Sequence, residues 1–307
     1  MSKERWSVQS EALAIDRPVG IEARQRGVEA RRIIRVMFGR WVVVFGTIVV
    51  AALILVALLA PMIAPYDPDK QDLMIALEQP SNKHLLGTDA LGRDVLSRVI
   101  HGTRASLIIG IVAVGIASLI GMSLGMVAGY FGGWTNAVIM RVIDAMMSLP
   151  PLVLALAIAT ALGGGLQNVL VSLGIAMVPG YCRLMCGQVL SIKECEFVVA
   201  ARVIGANDVR VMLAHILPNA FPPLLVLITL NMGTMILAEA GLSFLGIGVK
   251  PPTSAWGSMV SDGYKYLLDN PLLSFAPGGA IALLVLSFNL MGDGLRDALD
   301  PKLKGEL

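Results

Sequence analysis

Residues 105–140 read ASLIIGIVAVGIASLIGMSLGMVAGYFGGWTNAVIM and contain no Asp, Glu, Lys or Arg. After four residues that include Arg141 and Asp144, a second uncharged run extends from Ala145 to Cys182. A water-soluble fold would have to leave parts of such runs facing solvent, whereas a helix of about 20 apolar residues crosses a bilayer core. Within lipid the backbone must satisfy its own hydrogen bonds, so a spanning element is a helix or part of a closed barrel. Barrel strands alternate apolar and polar residues over short stretches, and these runs do neither. The fold class is therefore all-α, a polytopic membrane helical bundle. Composition agrees: of 307 residues, 56% are hydrophobic and 15% charged, against about 25% charged in soluble proteins. The net charge of +2 gives no basis for nucleic-acid binding.

The rest of the chain follows outward from these runs. The second span is expected from about Ala105 to Gly129, with five glycines, of which Gly121, Gly125 and Gly129 are four apart and share a face. Lipid tails are as apolar as leucine, so small residues that let backbones approach are what bring helices together. Gly110, Gly115, Gly174, Gly180 and Gly233 are read in the same way. The third span starts near Asn136, passes Arg141 and Asp144, and crosses to a turn at Gly163-Gly164-Gly165. The fourth runs from about Asn168 to Gln188, the fifth from Ala220 to Leu245 and the sixth from Ala276 to Met291. Upstream, Trp41 to Pro65 is an uncleaved first span, too long and too far from the N-terminus for a signal peptide. Residues 1–40 form a basic tail with nine Lys/Arg and five Asp/Glu, the last part of which is expected as an amphipathic helix on the membrane. The loop 66–104 is nearly charge-balanced, so the positive-inside rule places the tail in the cytoplasm and this loop outside. About six spans in residues 41–291 then put loop 189–219 inside, loop 246–275 outside, and the tail 292–307 in the cytoplasm.

No G-x-x-x-x-G-K-[ST] phosphate loop occurs, nor H-E-x-x-H. His84, His101 and His215 fall in different loops and make no metal cluster. Cys182, Cys186 and Cys195 are read as reduced thiols, the first two as packing residues. No catalytic residue, metal site or bound cofactor is expected, and energy for uphill transport must come from a gradient or a partner. A secondary transporter would need a chain of intramembrane ionisable groups, and a membrane-anchored enzyme or sensor would need a soluble domain. One clear intramembrane acid, Glu239, and no loop long enough for a soluble domain make both poor readings.

The loop before the fifth span is the most informative stretch. It reads as two short helices with a turn at Gly205. Ala200, Ala201 and Gly205 leave room for another backbone, Val203 and Ile204 are available to insert into a partner, and Pro218 breaks the run before the membrane. The order Ala200-Ala201-Arg202, then Gly205-Ala206, then His215-Ile216-Leu217-Pro218 resembles the EAA loop of ABC-transporter permeases, with Val199 where that family usually has Glu. Further motifs resemble the C-type permease subunit of dipeptide/oligopeptide/nickel importers. They are His84-Leu-Leu-Gly87-Thr88-Asp89-Ala-Leu-Gly92-Arg93-Asp94 with Ser97-Arg98, Gly132-Gly-Trp134, Met140-Arg141-Val-Ile-Asp144, Ala238-Glu239 through Gly246, Pro251-Pro252-Thr253, Trp256-Gly257, and Asn289 through Asp297.

The resemblance implies the type I ABC importer permease fold and a non-catalytic subunit forming half of a pore for peptides, or for nickel or glutathione-like substrates. It implies a B-type permease partner, two cytoplasmic ATPase subunits that use ATP and Mg, an external solute-binding protein, and a place in the bacterial inner membrane. The loop 197–218 would then be the coupling loop to the ATPases. The Gly87-Thr88-Asp89-x-x-Gly92-Arg93-Asp94 group is read mainly as turn chemistry ordering the outer loop. Arg141 and Asp144, three apart, are read as a local pair, and Glu239 as either a structural partner or a pathway residue.

Overall fold

The computed structural model describes residues 37–249 and 252–299. Helix α1 is Trp41–Ile63. A short 3-10 turn, Leu73–Ile75, interrupts the loop that follows. Helix α2 is Val95–Phe131, α3 Gly133–Met147, α4 Pro151–Ala161 and α5 Leu166–Ile192. Helix α6 is the short Glu196–Val203, and α7 is Asp208–Phe244. Helix α8, Trp256–Tyr264, lies in the next loop, and α9 is Leu272–Leu299. Five of these helices are long and apolar enough to cross a membrane, and the bent pair α3–α4 makes a sixth span if taken as one. The expected amphipathic helix before residue 37 and the last eight residues lie outside the described part, as do Lys250 and Pro251.

The glycine face of α2 packs along α5. A Cβ on Gly121 would sit 2.6 Å from the Cβ of Tyr181, one on Gly125 would run into the Cys182 carbonyl, and one on Gly129 would sit 2.8 Å from the Cβ of Val189. Gly174 of α5 returns the contact against Ile116. Gly110 packs ordinarily against Ile236, and Gly233 closely against Val285. Gly115 and Gly180 meet nothing within 4 Å, so these two do not pack as expected. Helix α1 lies against α9, with Gly46 beside the Ser287 carbonyl and Gly294 beside Val43. One apolar cluster joins α2, α5, α6 and α7, and another joins α1, α7, α8 and α9.

Four boundaries differ from the sequence expectation. Helix α2 begins ten residues before Ala105, because Asp94 caps it by accepting from Ser97 N at 2.8 Å, and its 37 residues are about 55 Å long, more than a bilayer core requires. The third span is broken: α3 and α4 meet at 90° across Ser148-Leu149-Pro150, where Pro150, itself followed by Pro151, is extended at ψ 136. Pro218 does not end the run before the fifth span. A π-helical turn, Val211–Ile216, precedes it, with Leu217 N donating to the Met212 carbonyl five residues back. Pro218 stands in the first turn of the α-helical stretch that follows, where proline is tolerated, so α7 continues unbroken. The sixth helix starts at Leu272 and runs past Met291 to Leu299, so the first half of the expected C-terminal tail is helix.

Candidate functional site

The short helix α6 and the start of α7 form a knob at one end of the bundle. Val198 and Ala201 point inward and are buried, as are Val211 and Ile216 beyond the turn. Val203 and Ile204 stand at the tip, 81% and 85% exposed. Gly205 makes the turn at φ +90, a left-handed conformation that a side chain disfavours. Its amide donates to the Arg202 carbonyl, and that of Ala206 to the Ala201 carbonyl. Asn207 then caps α7 by accepting from Arg210 N at 2.8 Å. The two alanines do not share a face: Ala200 is exposed, whereas Ala201 packs into this chain's own core. An odd–even pair on a helix points about 100° apart, which explains the division. His215 is half-buried on the π turn and its carbonyl accepts from Asn219 Nδ2 at 2.7 Å. Pro218 is exposed.

The same end holds the joints that carry the knob. Tyr130, near the end of α2, donates its hydroxyl to Asp208 Oδ1 at 2.6 Å. The Arg202 guanidinium lies 5.0 Å from the centre of the same ring. Lys193 Nζ donates to the Gly129 carbonyl at 3.1 Å. Arg40 and Asp297 form an ion pair where α1 begins and α9 ends. Nothing in the spacing of the chain marks Tyr130, which sits 72 residues from Arg202.

At the opposite end the loop before α2 is built by the Gly87–Asp94 group. Gly87 and Gly92 carry φ of +76 and +71, and a Cβ on Gly92 would occupy the Asp72 carbonyl. Thr88 Oγ1 donates to the Ile75 carbonyl and accepts from Glu78 N. Asp89 accepts from Leu91 N, Arg93 N and, at 2.7 Å, Arg93 Nε. Asp94, the cap of α2, also lies 2.9 Å from His84 Nδ1. Arg93 and Arg98 are both buried and share Asp89. With Asp262, Lys265 and Tyr266 they line a cavity of about 170 Å³. Trp256 of α8 lies over Gly102 and donates to the Val99 carbonyl at 2.9 Å, while Gln79 donates to the Asp269 carbonyl at 2.8 Å. The Gly163–Gly165 turn joins the same end through Gly165 N and the Gly248 carbonyl.

Arg141 and Asp144 do not pair. Asp144 accepts from Arg183 of α5 at 2.6 Å, because the packing of α3 on α5 brings a cation within reach that sequence spacing does not reveal. Glu239 is buried in α7 and has no cationic partner among the described residues; Ser243 Oγ donates to it at 2.6 Å and accepts from Val249 N at 3.3 Å. The partner is a hydroxyl, one that also ties the helix end to the following loop. Cys182 and Cys186 are buried against the glycine face of α2, and Asn136 Nδ2 lies 3.4 Å from Cys186 Sγ. Gly121-Met122-Ser123-Leu124-Gly125 has the spacing of a hydrolase nucleophile elbow, which needs a sharp strand-to-helix turn. Here it is mid-helix, and Ser123 Oγ donates to the Leu119 carbonyl at 2.7 Å.

Residues 121–305 match the family described as binding-protein-dependent transport system inner membrane component. Residues 30–80 match the N-terminal transmembrane domain of oligopeptide transport permease C. Among curated relatives, the dipeptide transport system permease protein DppC of Alkalihalophilus pseudofirmus is 42% identical, over 85% of this chain and 86% of its own length. The probable D,D-dipeptide transport system permease protein DdpC of Escherichia coli is 40% identical over 92% and 95%. The glutathione transport system permease protein GsiD of Pectobacterium atrosepticum is 41% identical over 86% and 88%. Among solved structures, the inward-facing MetNI methionine ABC transporter aligns with TM-score 0.54 at 20% identity, covering 67% of this chain and 98% of that one. An amino acid ABC transporter with histidines aligns with TM-score 0.52 at 16% identity, over 66% and 95%.

Proposed function

We propose, from the premise that this chain belongs to the binding-protein-dependent inner membrane components and is a C-type permease of ABC importers, that it forms half of a peptide-conducting pore and receives its power through the α6–α7 knob. The partners in this reading are a B-type permease, two ATPase subunits that bind and hydrolyse MgATP, and an external binding protein. The Lys193, Arg202 and Arg40 end faces the cytoplasm, so both termini are inside, and the Gly87–Asp94 end with α8 meets the binding protein outside.

The observation that carries the reading is the tip of the knob. Val203 and Ile204 are exposed on a helix whose other face is anchored in the bundle. Two adjacent apolar side chains held out on a short helix are the form taken by a helix presented to a partner's groove. Gly205 supplies the turn that presents them. The close α2–α5 packing makes these helices a stiff body, so ATP-driven closure of the ATPases would move it as a unit and shift access from one side to the other. Dipeptides are the first substrate class because the DppC and DdpC relatives are named for them. The GsiD relatives, named for glutathione, favour a second reading, a γ-linked tripeptide.

Ile204→Asp tests the coupling role without touching the turn. It places a charge at the tip, and affinity purification of the assembled transporter is expected to lose the ATPase subunits while this chain still reaches the membrane. Full retention with normal transport would remove the knob from its assigned role. Calorimetry of the cognate binding protein with dipeptides and with glutathione decides between the two substrate classes.

A further inference from the structure

The knob is held to the bundle by two kinds of contact. Val198 and Ala201 are buried apolar side chains, and apolar burial is non-directional. It keeps the knob in place but sets its tilt less sharply than a directional contact does. Tyr130 supplies contacts with direction. Its hydroxyl bonds Asp208 on the far side of the Gly205 turn, and its ring faces Arg202 on the near side. One side chain of α2 therefore touches both arms of the knob. A hydrogen bond weakens steeply as it leaves linearity, and a cation is attracted to the face of a ring and not to its edge. Together the two contacts define the angle of the knob against α2.

The other side of this joint is stiff. Phe131 packs edge-on against Tyr130 with ring centres 5.2 Å apart. Lys193 holds the Gly129 carbonyl from the end of α5. Gly121, Gly125 and Gly129 keep α2 in backbone contact with α5. A rotation of the knob that preserves both Tyr130 contacts must carry the α2–α5 pair with it.

We propose that Tyr130 is a positioning residue that converts movement of the knob into movement of the α2–α5 pair, and returns the signal from the outer face to the ATPases. The proposal rests on the coupling role assigned to the knob above. It predicts a separation between docking, which the Val203–Ile204 tip performs, and transmission, which Tyr130 performs.

The test uses the whole transporter, with its second permease and ATPase subunits, in vesicles of phosphatidylethanolamine and phosphatidylglycerol. ATP hydrolysis is measured with and without the cognate binding protein, carrying the ligand with which it purifies. Tyr130→Leu is expected to retain the ATPase subunits at wild-type stoichiometry, while stimulation by the binding protein falls to near the basal rate. Hydrogen exchange across residues 196–210 of the intact complex is expected to rise about tenfold as the local opening becomes easier. Tyr130→Phe keeps the ring under Arg202 and loses the bond to Asp208, and is expected to fall between wild type and Leu. Adding Asp208→Asn to Tyr130→Phe is expected to change little further, since both remove one shared bond. Unchanged stimulation in Tyr130→Leu overturns the proposal. So does loss of the ATPases from both Tyr130 variants, because the tyrosine would then maintain the docking shape itself. Retention of the ATPases by Ile204→Asp would instead remove the coupling role of the knob, whatever the Tyr130 variants do.

Discussion

Gly125 lies where α2 crosses α5, and a Cβ there would meet the Cys182 carbonyl and come within 2.8 Å of the Met185 Cβ. Neither a backbone oxygen nor a Cβ can swing aside, so the helices themselves would have to separate. Gly125→Leu is therefore expected to cost more than the 1–3 kcal/mol or so typical of overpacking, seen as a lowered melting midpoint of the purified chain in detergent. Gly115, on the same helix, has nothing within 4 Å. Gly115→Ala is expected to leave the midpoint unchanged or raised, as alanine favours a helix over glycine by about 1 kcal/mol. Equal effects of the two substitutions would show that close approach is not what holds α2 to α5. Glu239 and Asp144 make the complementary point about polar side chains: each is matched by a specific partner, Ser243 and Arg183 respectively. Only the second of these partners is far away in the chain.

Among the elements, the bent pair α3–α4 has its cause in two adjacent prolines. Pro150 is extended, with ψ 136, as expected of a residue that itself precedes proline. Replacing both Pro150 and Pro151 with Ala removes the restriction and is expected to let the two helices run on as one. Spin labels at Val138→Cys and Leu162→Cys would then move from about 25 Å apart, for two perpendicular arms of about 18 Å, toward about 36 Å for a straight helix. Pro150→Ala alone retains Pro151 and is expected to keep the shorter distance. A short distance in the double variant would assign the bend to packing on α5. The π turn before Pro218 is the opposite case, in which a proline is absorbed and the element continues.

On the scale of the molecule, the loops fall into two sets held together by their own contacts. Gly165 with Gly248, Gln79 with Asp269 and Trp256 with Val99 join one set. Tyr130 with Asp208, Lys193 with Gly129 and Arg40 with Asp297 join the other. Sidedness is then a single choice for the whole molecule. In a Cys195→Ser background, a membrane-impermeant maleimide is expected to label Leu268→Cys, whose side chain is exposed, on intact spheroplasts. Val203→Cys is expected to react only after the membrane is opened. The reverse pattern would place the knob outside, out of reach of any cytoplasmic ATPase.

Long uncharged runs were enough to make the chain a membrane helical bundle, because in lipid only a helix or a closed barrel satisfies the backbone and these runs lack the alternation of a barrel strand. The sequence also made the Gly205 turn and the Gly121–Gly125–Gly129 face legible, since both depend on backbone conformation or helical spacing, which are local. Helix ends were less legible. The charges from Arg93 to Arg104 read as loop, although Asp94 caps a helix that outruns the bilayer, and charge reports on solvent and not on conformation. The pairing of Asp144 with Arg183, the division of Ala200 from Ala201 between solvent and core, and the meeting of Tyr130 with Arg202 and Asp208 were decided only by the tertiary structure. Each depends on which helix face is turned to which neighbour, a matter of packing among segments distant in the chain that no local pattern encodes.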